Sequence, residues 1–225
     1  ERIFIEQRIY KKIETMKKIY IPFVASALII LGACKSNQPG PAVFEQMKTN
    51  EQATGSELEI RFLPGKFHNH PTFAIWVEDL EGNYIETLFV TKYLATGFYG
   101  YGALGEGKWD NKPGYAERPS TLPYWLHKRN NGKPDLPSKE KPVPDAITGA
   151  TPKAAFVLNT KSTNPLPPKF RLMLEINQPW DWNEFWHNSL YPSNPNYKSS
   201  CQPALIYAVM VDSEKSGEYY LNPIA

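Results

Sequence analysis

The residues able to do chemistry fall into few workable patterns. His68 and His70 stand two apart, so an extended segment projects both imidazoles to one side. Two ligands are too few for zinc, which takes three or four. His127 and His187 are remote, so the pair is expected to be surface histidines before Pro71, and no metal site is expected. Glu78 and Asp79 are neighbours on a predicted strand, face opposite ways and cannot act as a catalytic pair. Asp181 and Glu184 lie where nothing in the sequence sets their separation. No Gly-x-Ser-x-Gly elbow occurs. Gly100–Gly105 spells a dinucleotide-binding glycine pattern, but that pattern needs a strand before it and a helix after it. The following EGKWDNKPGY does not read as a helix, so the glycines are expected to permit a tight loop. No catalytic residue is assigned, and the chain is not expected to be an enzyme. Cys34, the segment Asp145–Thr151 and three tryptophans remain as candidates.

The elements that must position them are short strands. Proline makes up 21 of 225 residues, roughly twice the usual share, and aromatics make up 13%. Proline breaks helix interiors, which excludes a long-helix protein, while the aromatics and aliphatics can build a core. From Ser56, Leu58, Ile60 and Phe62 alternate with charged residues, the pattern of a half-buried strand. Residues 72–79 and 84–90 form a predicted hairpin, with Gly82 in the turn able to take positive φ. Further strands are expected at 154–158, 170–176, 204–212 and 218–221. On the strand at 204–212 both faces are apolar, which suggests a place inside the fold. One short helix is expected at 122–128, with Pro123 in its first turn and Ser120 or Thr121 near its cap. Residues 91–144 read as irregular and 177–203 as an aromatic insertion. The fold class is all-β, an immunoglobulin-like antiparallel β-sandwich with long irregular loops; a closed barrel is the alternative.

The chain ahead of that domain has a different character. Lys17 and Lys18 precede an apolar run from Ile19 to Leu31, which ends in Leu31-Gly32-Ala33-Cys34. A basic start, a short apolar stretch and small residues make a secretory signal peptide. Leu-Gly-Ala-Cys resembles the lipobox of bacterial lipoproteins. The resemblance implies a diacylglyceryl thioether on Cys34, cleavage before it and acylation of the new amino terminus. Several acyl chains anchor where one holds only marginally. The expected organisation is residues 1–15 as upstream read-through, 16–33 as signal peptide, 34–55 as a flexible tether and 56–225 as one domain. The net charge of +2 then divides into +3 before Cys34 and −1 from Cys34 onward, so no basic surface is expected for nucleic acid. With Cys34 lipidated, Cys201 has no disulfide partner in the chain. The expected location is the periplasmic side of the cell envelope, with the lipid bilayer as partner. Lys35 and Ser36, with no aspartate, favour the outer over the inner membrane by resemblance.

The stretch PTFAIWVEDLEGNYIETLFV, together with Arg118-Pro119, Leu122-Pro123, Trp125, DAITGAT and QPALIY, resembles a domain-of-unknown-function family of predicted periplasmic proteins and lipoproteins. The resemblance implies an immunoglobulin-like sandwich and a place near flavin-attachment systems. Many members carry a Trp-Asp-Gly turn after the Gly-Ala-Thr segment; this chain has the 177–203 insertion instead. Asp145-Ala146-Ile147-Thr148-Gly149-Ala150-Thr151 is similar to the acceptor on which a bacterial flavin transferase places flavin mononucleotide. That similarity implies covalent FMN on Thr151, with Asp145, Thr148 and Gly149 completing the motif and a flavin transferase or membrane redox partner. The alternative is a structural turn in which Thr148 or Asp145 bonds backbone amides.

Trp180, Trp182, Phe185 and Trp186 stand in PWDWNEFW. Exposed, they would stack on sugars or fill a partner pocket. The stronger expectation is a loop folded onto the domain that buries them, because large exposed apolar patches are rare. Three functions follow: a membrane-anchored, non-enzymatic binding or assembly module, an extracytoplasmic redox protein with FMN at Thr151, and a glycan-binding surface protein.

Overall fold

The computed structural model describes residues 4–8, 44–105, 108–133, 136–138, 140–143, 154–179, 181–200 and 202–225. In chain order the strands are β1 (Phe4–Arg8), β2 (Glu45–Thr49), β3 (Glu57–Leu63), β4 (Thr72–Glu78) and β5 (Tyr84–Val90), followed by four short ones. These are β6 (Phe98–Tyr99), β7 (Ala103–Gly105), β8 (Lys108–Trp109) and β9 (Gly114–Tyr115). The chain closes with β10 (Phe156–Lys161), β11 (Lys169–Asn177), β12 (Leu205–Asp212), β13 (Glu218–Tyr220) and β14 (Asn222–Pro223). Helices are short: α1 (Lys92–Thr96), α2 (Pro123–Arg129) and α3 (Pro195–Ser200). The protein is all-β, as the alternating pattern predicts, but α1 and α3 add to the single helix expected.

Two five-stranded sheets carry the fold, with orders β13-β1-β3-β10-β2 and β14-β12-β11-β4-β5. Every pair in them is antiparallel except β10 with β2. Two differences from expectation lie near the amino terminus. Glu45–Thr49, inside the stretch read as a tether, is an edge strand. Phe4–Arg8, where no element was expected, lies between β3 and β13.

Alternation makes the core. On β3, Leu58, Ile60 and Phe62 are buried while Glu57, Glu59 and Arg61 turn outward. They meet Phe156 and Leu158 of β10 and the inward residues of the second sheet, including Phe73, Ile75, Phe89, Leu172 and Leu174. Phe73 is the hub: its ring stacks 4.7 Å from Phe89, 5.7 Å from Phe62 and 5.8 Å from Phe156, which joins the sheets.

β4 is buried on both faces because a second apolar layer covers the outside of its sheet. Ala74, Trp76 and Met173 pack there against α1, α2 and Val143. The cover reaches Ile206 and Ala208 of β12 but not Met210, which is 62% exposed although both faces of that strand are apolar in sequence. The hairpin forms as predicted, with Gly82 at φ 84°. In the excursion between β5 and α2, the buried Arg118 guanidinium lies 3.9 Å from the Tyr99 ring centre and 5.0 Å from that of Trp109. Burial pushes the Tyr99 phenol up, against the opposing charge of Arg118. A Cβ on Gly102 would stand 2.9 Å from Gly114 Cα, so the glycine run serves close backbone approach, and a β-hairpin rather than a helix follows it.

Replacing Phe73 by alanine opens a cavity at the hub. The expected cost is about 3–5 kcal/mol, read as a lower denaturant midpoint at unchanged m-value. A change below about 1 kcal/mol would show that the two sheets do not depend on this ring.

Candidate functional site

Two places gather polar side chains against buried surface, both starting from the outer face of β11. Arg171, Met173, Glu175 and Asn177 alternate with the core-facing Phe170, Leu172, Leu174 and Ile176. A sequence pattern assigns the first set to solvent. Instead α2 lies over them, and Met173, Glu175 and Asn177 are buried.

Glu175 caps that helix. Tyr124 and Trp125 donate their backbone N–H groups to its two carboxylate oxygens at 3.1 and 2.6 Å. Leu122 occupies the cap position with no side-chain hydrogen bond, so neither Ser120 nor Thr121 caps α2. An acceptor from a neighbouring strand satisfies the free amides of the first turn. Burial pushes the Glu175 carboxyl up to about 7, although the two amide bonds pull it down.

Farther along the same face, opposite Arg171 of β11, Glu78 is fully buried; it accepts from Trp76 Nε1 at 3.0 Å and pairs with Arg171 at 3.3 Å and Lys128 at 3.8 Å. Trp125 Nε1 donates to Thr87 Oγ1 at 2.9 Å, and the Tyr84 hydroxyl lies 2.7 Å from the same oxygen. A hollow of about 470 Å³ opens above, between the Gly82 turn and the end of α2. Its cations are engaged: Lys128 donates to Gly82 O at 2.6 Å and Arg129 to Asn130 Oδ1 at 2.9 Å. Lys128, Glu78, Trp125 and Thr87 tie α2 to the hairpin. Asp79 instead bonds Asn83 in the turn, apart from Glu78.

The second place is the end of the domain where the 177–203 insertion leaves β11. A hollow of about 310 Å³ lies between Phe67, His68, Ile176, Asn177, Trp186 and Leu205. Gln178 and Gln202 complete it and lash the loops together. Gln178 donates to Phe67 O and accepts from Asn69 N, and Gln202 donates to Gln178 O. Contrary to the expected burial of the insertion, Trp182 is 48% exposed and Phe185 70% exposed, while Trp186 is half-buried. His68 packs against Phe62, and His70 is exposed. Among the described residues no group of three or more metal ligands occurs.

The remaining sequence candidates, Cys34, Asp145, Thr148, Gly149, Thr151 and Trp180, lie outside the described residues. Glu175 and Asn177 escaped sequence reasoning; the only signal was two polar residues in a run otherwise rich in apolar ones. Compared with protein-family models, curated proteins and solved structures, the chain matches none.

Glu175 sets a pH dependence. A carboxyl raised by folding holds its proton more tightly folded than unfolded. Its protonated form therefore contributes stability below about pH 4.5, lost as pH rises to about 7. The expected loss is about 3 kcal/mol across that window. Denaturant midpoints measured from pH 4.5 to 7.5 should fall in the wild type and stay flatter by that amount in Glu175→Gln. Parallel profiles would place the titration elsewhere.

Proposed function

We propose that the chain is an exported lipoprotein, held on a membrane of the cell envelope by acylated Cys34, whose domain is a non-enzymatic binding module. The one observation that carries the binding role is the exposure of Trp182 and Phe185 in the same insertion that supplies Trp186 to the hollow at the end of the sheets. Two large, largely exposed rings in an insertion that also lines a concave, cross-linked pocket suit a ligand surface better than a packing loop. The domain is read as an immunoglobulin-like sandwich. In support, the chain changes sheets from β3 to β4 and again from β10 to β11, and both sheets share one core. Loops at the ends of such sandwiches present partners with a rigid platform.

Processing has a structural consequence. Cleavage before Cys34 takes residues 1–33 away, β1 among them, and leaves β3 without a strand on that side. Intact mass of protein extracted from membranes should therefore correspond to residues 34–225 plus acyl chains. A retained leader without lipid would overturn the anchored reading. Hydrogen exchange offers a second check: β3 amides should exchange at least tenfold faster in protein beginning at Cys34 than in unprocessed Cys34→Ala expressed from residue 1. Equal rates would mean that β1 does not protect β3.

The ligand surface is tested by substitution. Screened against immobilised polysaccharides and extended peptides, the wild type should bind saturably, and Trp182→Ala/Phe185→Ala at least tenfold more weakly at an unchanged melting temperature. Aromatic anchors commonly carry that share of binding energy. Undiminished binding by the double variant would place the ligand elsewhere.

A further inference from the structure

We infer that the end hollow takes an uncharged sugar, with the side-chain oxygen of Asn177 as the buried acceptor for a sugar hydroxyl. The inference rests on the binding role proposed above and names its ligand class.

Three observations converge. First, the orientation of Asn177 is set by its own bonds. Nδ2 donates to Thr121 O at 3.0 Å and to Gln202 O at 3.2 Å. Two carbonyl acceptors identify the nitrogen, so the other atom is the oxygen. Second, that oxygen has no hydrogen-bond partner among the described residues, although Asn177 is only 2% exposed and lines the hollow. A buried acceptor left unmade is costly, so the site calls for a small donor that can reach it. Third, the side chains lining the hollow include no carboxylate, lysine or arginine. Its one titratable lining side chain is His68, and Lys66 at the Phe67 ring and Asp181 at Gln178 carry opposite signs, so no single sign of charge favours a charged ligand there.

The remaining lining describes the rest of the ligand. Phe67 and Trp186 offer apolar ring surface, and Trp182 and Phe185 extend exposed aromatic surface through the same insertion. A neutral sugar ring combines hydroxyl donors on its rim with apolar C–H surface on its face, which is the combination this lining complements. An extended peptide offers backbone N–H donors too. It must then also satisfy its own carbonyls, and both N–H groups of the Gln178 amide are already given to Phe67 O and Asp181 Oδ2, while Gln202 gives one of its two to Gln178 O.

Affinity electrophoresis of the membrane-extracted protein, in gels each containing one polysaccharide, tests the inference. The neutral set is soluble starch, xylan, galactomannan, dextran and mixed-linkage β-glucan; the charged set is polygalacturonate and heparin. At least one neutral polymer should retard the wild type, and an oligosaccharide of that polymer should compete. Phe67→Ala and Trp186→Ala should each weaken binding at least tenfold while keeping the melting temperature. Asn177→Ala also removes two structural bonds, so the acceptor is followed instead by NMR of the wild type. The Asn177 side-chain amide resonances should shift on adding the competing oligosaccharide. Retardation by charged polymers alone, neutral binding unchanged by both substitutions, or an unmoved Asn177 amide would overturn the inference. If peptides bind and Trp186→Ala weakens them, the sugar falls and the binding role stands. If neither sugars nor peptides bind, both fall.

Discussion

Two side chains on one face of one strand organise most of what lies outside the central core. Glu175 of β11 accepts the first-turn amides of α2, and Asn177, two residues on, donates to the carbonyl of Thr121 just ahead of that helix. One strand face thus holds both the helix start and the segment leading into it. With α2 in place, Trp125 reaches Thr87, Lys128 reaches Glu78 and Gly82, and Trp76 is closed from water. The cap puts a carboxylate where helix amides need an acceptor, and burial makes that carboxylate expensive to ionise. The structure tolerates this because the same bond orders the cover over the whole outer face of β4.

The arrangement also separates stability from recognition. Under α2, Glu78 pairs with Arg171 and Lys128, while Glu175 is held by backbone amides. The hollow at the end of β11 is different in kind. Its amides cross-link loops, and its walls are aromatic and aliphatic. Asn177 belongs to both regions, since its nitrogen bonds the carbonyl just ahead of α2 and the residue lines the hollow. A ligand there would act on a groove already held rigid by the helix cap, which lowers the ordering cost of binding.

What was legible in advance was whatever depends on neighbours along the chain. The seven expected strands appear as β3, β4, β5, β10, β11, β12 and β13, because alternation records which face meets a core. Pro123 and the apolar run behind it marked α2. Less legible were β2, whose EQMKT sequence is polar and pairs parallel at an edge, and the exposure of Trp182, because an aromatic in a loop carries no periodicity. The outer face of β12 shows the limit from the other side: apolar on both faces, it packs Ile206 and Ala208 against the outer layer but leaves Met210 exposed.

By itself the sequence determined the all-β class, the hairpin at Gly82 and the strand positions. Each is encoded locally, in period-two patterning or turn residues. Only the tertiary structure decided that Glu175 and Glu78 are buried, that a strand residue caps α2, and that Asn177 lines a hollow with Phe67 and Trp186. Those facts depend on which distant segment lies over a face. Burial of a polar group is a property of its cover, and the cover here comes from residues about fifty positions away in the chain.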